Sequence, residues 1–243
     1  MASKVRLYVE HPLGEGQSVP LTREQAHYLF GVMRLAEGAV ISLINGTDGE
    51  WDALVVKAGK NGGILLCQTQ TRALQLPPDL WLLFAPIRKE RTAFIVEKAV
   101  EMGAARVMPV QTDFTQGASR IRQDKLQAHA IEAAEQCGGT FVPPVDDLAK
   151  LDRVLADWPG GRQLMFCDEI LISDPVGLPA ISGPWAILIG PEGGFSPTER
   201  DRLRGLPFAH PAGLGPRILR ADTAAVAALT VWQQALGDWA KHE

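Results

Sequence analysis

One segment constrains the fold more than any other. Ala186–Glu199 reads AILIGPEGGFSPTE. An apolar strand runs straight into Gly-Pro-Glu-Gly-Gly, and Ser196-Pro197-Thr198-Glu199 then opens a helix. Ser196 is an N-cap residue, Pro197 suits the first helical position, and Glu199 completes a capping box. In an α/β sheet, ligands bind in the loop beyond the carboxyl end of a strand. Glycines at such a place let the backbone approach a ligand closely. The loop is not a phosphate cradle of the usual kinds: it carries neither GxxxxGK[ST] nor GxGxxG. That counts against P-loop and Rossmann readings.

The rest of the chain repeats the same rhythm. Leu80–Pro86, Arg106–Gln111, Gln163–Cys167 and Trp185–Ile189 are apolar strands. Between them the pattern predicts helices over Lys89–Met102 and Arg122–Gln136. The first has an apolar stripe at Ala93, Val96, Ala99 and Val100 and ends at Gly103. A last helix is predicted from near Asp222 to Trp239, with Val226, Leu229, Trp232, Leu236 and Trp239 on one face. Strands alternating with helices imply a largely parallel sheet. Before Pro77-Pro78 the character is different. Ala39–Ile44, Trp51–Val56 and Ile64–Gln68 read as strands joined by Asn45-Gly46 and Gly59–Gly63 turns. A helical segment, Thr22–Leu35, interrupts them, with Thr22 as N-cap. Short strands with tight turns suggest a small barrel.

Composition limits the function classes. Hydrophobic residues are 46% and charged residues 21%, which excludes disordered and collagen-like chains. The net charge of −4 argues against an indiscriminate nucleic-acid binder. Its distribution is uneven: Arg200–Arg220 holds five arginines against Asp201 alone, Arg88–Lys125 is also net basic, and Pro143–Pro175 is net acidic. Cys67, Cys137 and Cys167 form no CxxC, so a reducing cytoplasm is the expected setting. The five histidines show no metal-ligand spacing, and no metal is expected. The start, MASKVRLYVEHP, has no apolar signal core, and no apolar run is long enough to span a membrane.

A second constellation is Leu214–Ala225, LGPRILRADTAA. It is another Gly-Pro turn, and it opens the last helix. Asp222 at a helix N-terminus is accounted for by capping and the dipole. Arg220 is not, since a cation is disfavoured there, so it points to an anion or a polar substrate edge.

These motifs carry a resemblance. GPEGGFSPTE, LGPRILRADTA, APIRKERTAFIVEKAVEMGAARVMPV, EAAEQCGG and HYLFGVMRLAEGAVISLINGTDGEWDA together resemble the RsmE-type 16S rRNA uridine N3-methyltransferases over nearly the whole chain. The resemblance implies an α/β fold of the SPOUT class with a trefoil knot over residues 80–243. It also implies a PUA-like RNA-binding β-barrel over residues 1–72 and a linker at 73–79. It further implies a cytoplasmic homodimer that uses S-adenosylmethionine and acts on 16S rRNA in the 30S subunit.

The cofactor residues it implies are Leu164, Phe166, Ile189, Gly190, Pro191, Gly193, Gly194, Leu214, Gly215, Ile218, Leu219 and Thr223. Arg220 is expected to stabilise the anion formed when N3 loses its proton, with Glu192 or Asp222 as base. Arg6, Arg34, Arg88, Lys89 and Arg91 are expected on RNA. The target base has to be unpaired, because N3 lies on the Watson–Crick edge. Two departures stand out. Thr112-Asp113-Phe114-Thr115 occupies a place where the family often has Thr-Glu-Arg-Ser, so an arginine expected on RNA is missing. Arg220-Ala221-Asp222-Thr223-Ala224 has a shorter acid than the family's Arg-Thr-Glu-Thr-Ala. Two alternatives stay open: a SPOUT enzyme acting on another nucleotide or a ribose 2′-hydroxyl, and a non-catalytic RNA-binding assembly factor.

Overall fold

Five parallel pairings build the larger sheet of this computed structural model, which describes residues 5–116, 121–171 and 177–240. The chain divides into two compact units. One comprises Met1–Leu76 with Ala134–Val142, the other Pro77–Ala133 with Pro143–Glu243. Ala134–Val142, which a linear division leaves with the second domain, thus belongs to the first unit.

The first unit begins with β1 (Arg6–Tyr8) and β2 (Ser18–Pro20), then a short α1 (Arg23–Ala26), β3 (Val40–Ile44), β4 (Glu50–Gly59) and β5 (Gly62–Arg72). They form one sheet in the order β1-β3-β4-β5-β2. Its core packs Val19, Leu29, Ile41, Leu43, Ala53 and Leu65, all at most 1% exposed. Thr22 caps α1 in a full capping box with Gln25, as its sequence predicts. The helix predicted to reach Leu35 does not stay α-helical. It widens into a π-helix over His27–Val32, and Arg34 then takes φ +56°. A left-handed non-glycine residue costs on the order of 1 kcal/mol.

Arg6 is a correction to the sequence reading. It does not reach out to RNA. Its Nε donates to Glu50 Oε1 at 3.1 Å, and Nη1 donates to the Ala134 and Glu135 carbonyls at 2.7 and 2.8 Å. Nη2 donates to the Gly139 carbonyl at 2.8 Å and to Glu50 Oε2 at 3.4 Å. All five guanidinium N–H groups are engaged, and the side chain is 13% exposed. Burial by itself would raise the Glu50 pKa. Hydrogen bonds and charge from Arg6, a hydrogen bond from Ser42 and the charge of Arg72 outweigh it and hold the carboxyl below its usual range. A depressed carboxyl stabilises the fold fully above its unfolded pKa of about 4.3, and that stability is lost as pH falls through the lower folded value.

Arg6→Ala strands three carbonyls and leaves Glu50 with Ser42 and Arg72. It is expected to cost about 3 kcal/mol. It should also move acid unfolding to higher pH. Urea melts at pH 7 and pH 4 test this, and a loss under about 0.5 kcal/mol would show that the tie is dispensable.

In the second unit, β6 (Leu80–Phe84), α2 (Lys89–Glu101), β7 (Arg106–Gln111), α3 (Gln123–Cys137, of which Ala134–Cys137 belongs to the first unit), β8 (Ala149–Lys150) and α4 (Leu151–Ala156) are followed by β9 (Gln163–Cys167) and β10 (Trp185–Ile189). Then come α5 (Pro197–Arg204), β11 (Ala209–Ala212) and α6 (Ala221–Ala235). The sheet order is β11-β9-β10-β6-β7-β8. Leu82 and Leu83 of β6 and their register partners Ile187 and Leu188 of β10 point to opposite faces and are all 0% exposed, as strands covered on both faces should be. Every strand is parallel to its neighbours, so all carboxyl ends lie along one edge.

The α6 helix stops at Ala235, four residues short of the expected Trp239. Gln233 ends it: its Nε2 donates to the Met102 carbonyl at 2.7 Å, and its Oε1 accepts from the Asp238 N–H at 3.1 Å. The expected stripe is therefore split. Leu229 and Trp232 are buried in their own chain, while Trp239 lies beyond the helix and is 48% exposed.

Candidate active site

Three strands end level with one another. Cys167 of β9 is in register with Ile189 of β10 on one side and Ala212 of β11 on the other. A different loop follows each. Between the first and third loops lies a cavity of about 50 Å³. The β9 end contributes Cys167, Asp168, Glu169 and Leu171. The β11 end contributes Ala212, Leu214, Gly215, Arg217, Ile218 and Leu219, and α6 contributes Ala224.

Four of the expected cofactor residues, Leu214, Gly215, Ile218 and Leu219, line this cavity. Others do not. Leu164 and Phe166 are 0% exposed and pack in the core with Leu83, Leu188 and Phe195. A strand turns successive residues to opposite faces, so Cys167 reaches the cavity and Phe166 cannot. Ile189 is buried at the end of β10. Thr223 is exposed on the first turn of α6, with its N–H on Asp222 Oδ1 at 3.0 Å.

The Gly-Pro-Glu-Gly-Gly loop has an internal reason for each glycine. A Cβ on Gly190 would stand 2.9 Å from the Phe195 ring, and one on Gly193 would stand 3.3 Å from Phe114 Cβ. Gly194 has φ +69°, and a Cβ there would meet Glu169 Oε1 at 2.0 Å. Its N–H closes the turn on the Pro191 carbonyl at 2.9 Å. The loop therefore touches Glu169, and Glu169 lines the cavity.

The acids of the cavity are held by α5. Arg200 Nε donates to Asp168 Oδ1 at 3.1 Å and its Nη2 to Glu169 Oε1 at 2.5 Å. Arg204 donates to Asp168 Oδ2 at 2.7 Å. The Asp168 carboxylate is fully buried. The capping box that starts α5 is present and ties in the turn after β7: Asp113 Oδ2 accepts from Ser196 Oγ at 2.5 Å, and the Asp113 N–H donates to Glu199 Oε1 at 2.8 Å. Cys167 supplies no nucleophile, because burial pushes its thiol up to about 12.

At the cavity's other side, Leu219 lines the wall and Arg220 follows as the N-cap residue of α6. Arg220 is exposed; its carbonyl accepts from the Ala224 N–H at 2.7 Å, while its guanidinium makes no hydrogen bond or ion pair with any described residue. Asp222 does not compensate it: Asp222 Oδ2 accepts from Arg91 Nη1 at 2.7 Å. Glu192 is exposed and bonds to none of the described residues, so its carboxylate does not close its own loop. Arg88 is the N-cap residue of α2, and it, Lys89 and Arg34 are exposed.

Sequence reasoning missed Asp168 and Glu169, and it held Arg217 only within the Leu214–Leu219 segment. The signal was available: Asp168-Glu169 stands just beyond the carboxyl end of an apolar strand, where the rule for parallel sheets places ligands. Among the described residues, no group of three or more His, Cys, Asp or Glu is arranged to hold a metal ion. Likewise no helix among them is long and apolar enough to cross a membrane.

A family model described as an RNA methyltransferase domain matches residues 74–233, and one described as an RNA methyltransferase PUA domain matches residues 21–66. The ribosomal RNA small subunit methyltransferase E of Rickettsia conorii is 28% identical over 92% of this chain and 93% of its own. The protein of the same name from Synechocystis is 31% identical over 87% of this chain and 71% of its own. Among solved structures, the methyltransferase E of Neisseria gonorrhoeae bound to S-adenosylmethionine superposes with a TM-score of 0.89 at 25% identity, covering 98% of this chain and all of that one. A putative methyltransferase of Legionella pneumophila in complex with the same cofactor gives 0.88 at 28% identity, with 98% and 100% covered.

Proposed function

The chain belongs to the RNA methyltransferase domain family and carries a PUA domain, and from that premise we propose that it transfers a methyl group from S-adenosylmethionine to N3 of a uridine in 16S rRNA. The observation that carries the reading is the unpartnered guanidinium of Arg220 directly after the cavity wall. Relatives named ribosomal RNA small subunit methyltransferase E and a neighbour solved with the cofactor support it.

The cavity suits this cofactor chemically. S-adenosylmethionine has an ammonium, a carboxylate and a sulfonium but no phosphate. The wall offers the Glu169 carboxylate, the Arg217 guanidinium and the apolar Leu214, Ile218 and Leu219, with the buried Asp168 carboxylate behind it. Gly215, at φ +102°, has nothing within 4 Å of the place a Cβ would take. When bound, the cofactor supplies an electrophilic methyl group.

The chain's own residues handle the acceptor. The N3 lone pair is freed only when its proton leaves, and the charge then spreads onto O2 and O4. Arg220 donates hydrogen bonds to that developing charge. Glu192, with its carboxylate exposed and uncommitted, takes the proton. Asp222, bonded to Arg91, fixes the start of α6 beside Arg220. Arg34, Arg88 and Lys89 meet phosphates of the RNA, and Arg91 stands between RNA and Asp222.

The finer architecture belongs to the same proposal. The loops after β9, β10 and β11 form a SPOUT trefoil knot, a rare exception to unknotted chain paths. Residues 1–72 close into a PUA-like barrel that orients RNA, 73–79 link, and 80–243 carry catalysis. The enzyme is a cytoplasmic homodimer acting on the 30S subunit, and exposed Trp239 lies in the dimer contact. Mass spectrometry of 16S rRNA nucleosides from cells with and without the protein tests the reading. Loss of one N3-methyluridine is expected, and an unchanged nucleoside profile would overturn it.

A further inference from the structure

The turn after β7 presents an aromatic ring that meets Gly193 on one side and is otherwise largely in water. Phe114 is 46% exposed. Its backbone is held firmly: the Thr112 N–H donates to Thr115 Oγ1 at 2.8 Å, the Thr115 N–H returns to the Thr112 carbonyl at 3.1 Å, and Asp113 is bonded to Ser196 and Glu199. Phe114 Cβ stands against Gly193, where any side chain would crowd it. A rigid turn and a glycine thus support a ring that remains largely in water. In a parallel sheet the loops after β7, β9 and β11 all leave the same edge. Those after β9 and β11 also expose an apolar side chain, Ile170 at 58% and Ile218 at 72%.

Methylation at N3 requires a base removed from its pairing and stacking partners. An unstacked base is stabilised by an aromatic face, and one such contact is sequence-tolerant and uncharged. We propose that Phe114 is a stacking platform for a nucleobase of the substrate RNA beside the Gly190–Gly194 loop. The assignment rests on the methyltransferase reading above.

The test uses 30S subunits from cells lacking the protein, at saturating S-adenosylmethionine. Phe114→Leu keeps apolar bulk and removes the ring, and is expected to raise KM for the subunit about 10-fold. Phe114→Trp should restore KM to within about two-fold. The salt dependence of KM should be unchanged, because no phosphate contact is lost, and S-adenosylmethionine affinity by calorimetry should match wild type. An unchanged KM in the leucine variant beside an active wild type would overturn the platform and leave the methyltransferase reading standing. So would a tryptophan variant as impaired as leucine, or lowered cofactor affinity, since either makes the ring a brace for the glycine loop. A wild-type protein inert on these subunits would overturn the reading itself and the platform with it.

Discussion

Arg220→Ala is expected to slow single-turnover methyl transfer by about 10²–10³-fold, the usual effect of removing one preorganised donor from a developing oxyanion. The argument is one of placement. Arg220 caps a helix N-terminus, where the dipole opposes a cation. Asp222, two residues on, could have offset that cost but is engaged by Arg91. The guanidinium therefore sits exposed and unpaired among the described residues, one position beyond the cavity wall. Because the guanidinium makes no hydrogen bond or ion pair with any described residue, alanine should leave thermal unfolding and cofactor affinity unchanged. Lysine keeps the charge and loses the planar fork, so it should recover only part of the rate. The measurement is a single-turnover rate on 30S subunits at saturating cofactor. A rate within a few-fold of wild type would show that Arg220 takes no part in the chemistry.

Asp168→Ala should cost about 3 kcal/mol of stability, as large a loss as Arg6→Ala. Its carboxylate is wholly buried and receives Arg200 at 3.1 Å and Arg204 at 2.7 Å. Removing it leaves the Arg200 guanidinium, itself 11% exposed, with Glu169 as its remaining partner. Arg204 is 41% exposed and turns to water. Since Asp168 also lines the cavity, cofactor affinity should fall in the same variant. Replacing half-exposed Arg204 by alanine is the comparison: the buried carboxylate keeps Arg200, so the cost should be smaller, about 1 kcal/mol. Urea unfolding of both variants decides the matter, and an Asp168→Ala protein as stable as Arg204→Ala would show that the buried pair contributes nothing net.

Much of the second unit was legible because its signals are local. Gln163–Cys167 and Trp185–Ile189 are apolar runs bounded by breakers, and both strands have those bounds. Ser196-Pro197-Thr198-Glu199 contains every group a helix start needs, and the capping box is there. Short elements were not legible. β1, β2 and β11 have three or four residues each, too few for a period to show. The π-helix after Ala26 left no signal either, since its apolar spacing serves an α-helix as well.

Sequence by itself determined the alternation of strand and helix, the parallel sheet, the glycine loop at a strand end and the family. These depend on neighbouring residues and on motif order. Only the tertiary structure decided which charges are free and which are committed. Arg6 reads as a surface cation until β1 lies beside carbonyls at Ala134, Glu135 and Gly139. Arg91 and Asp222 lie 131 positions apart, and their pairing is what leaves Arg220 unpartnered. Asp168 and Glu169 become cavity walls because the ends of β9 and β11 are in register. Hydrogen-bonding capacity is a property of a residue, but its partner is set by where distant segments of the chain cross.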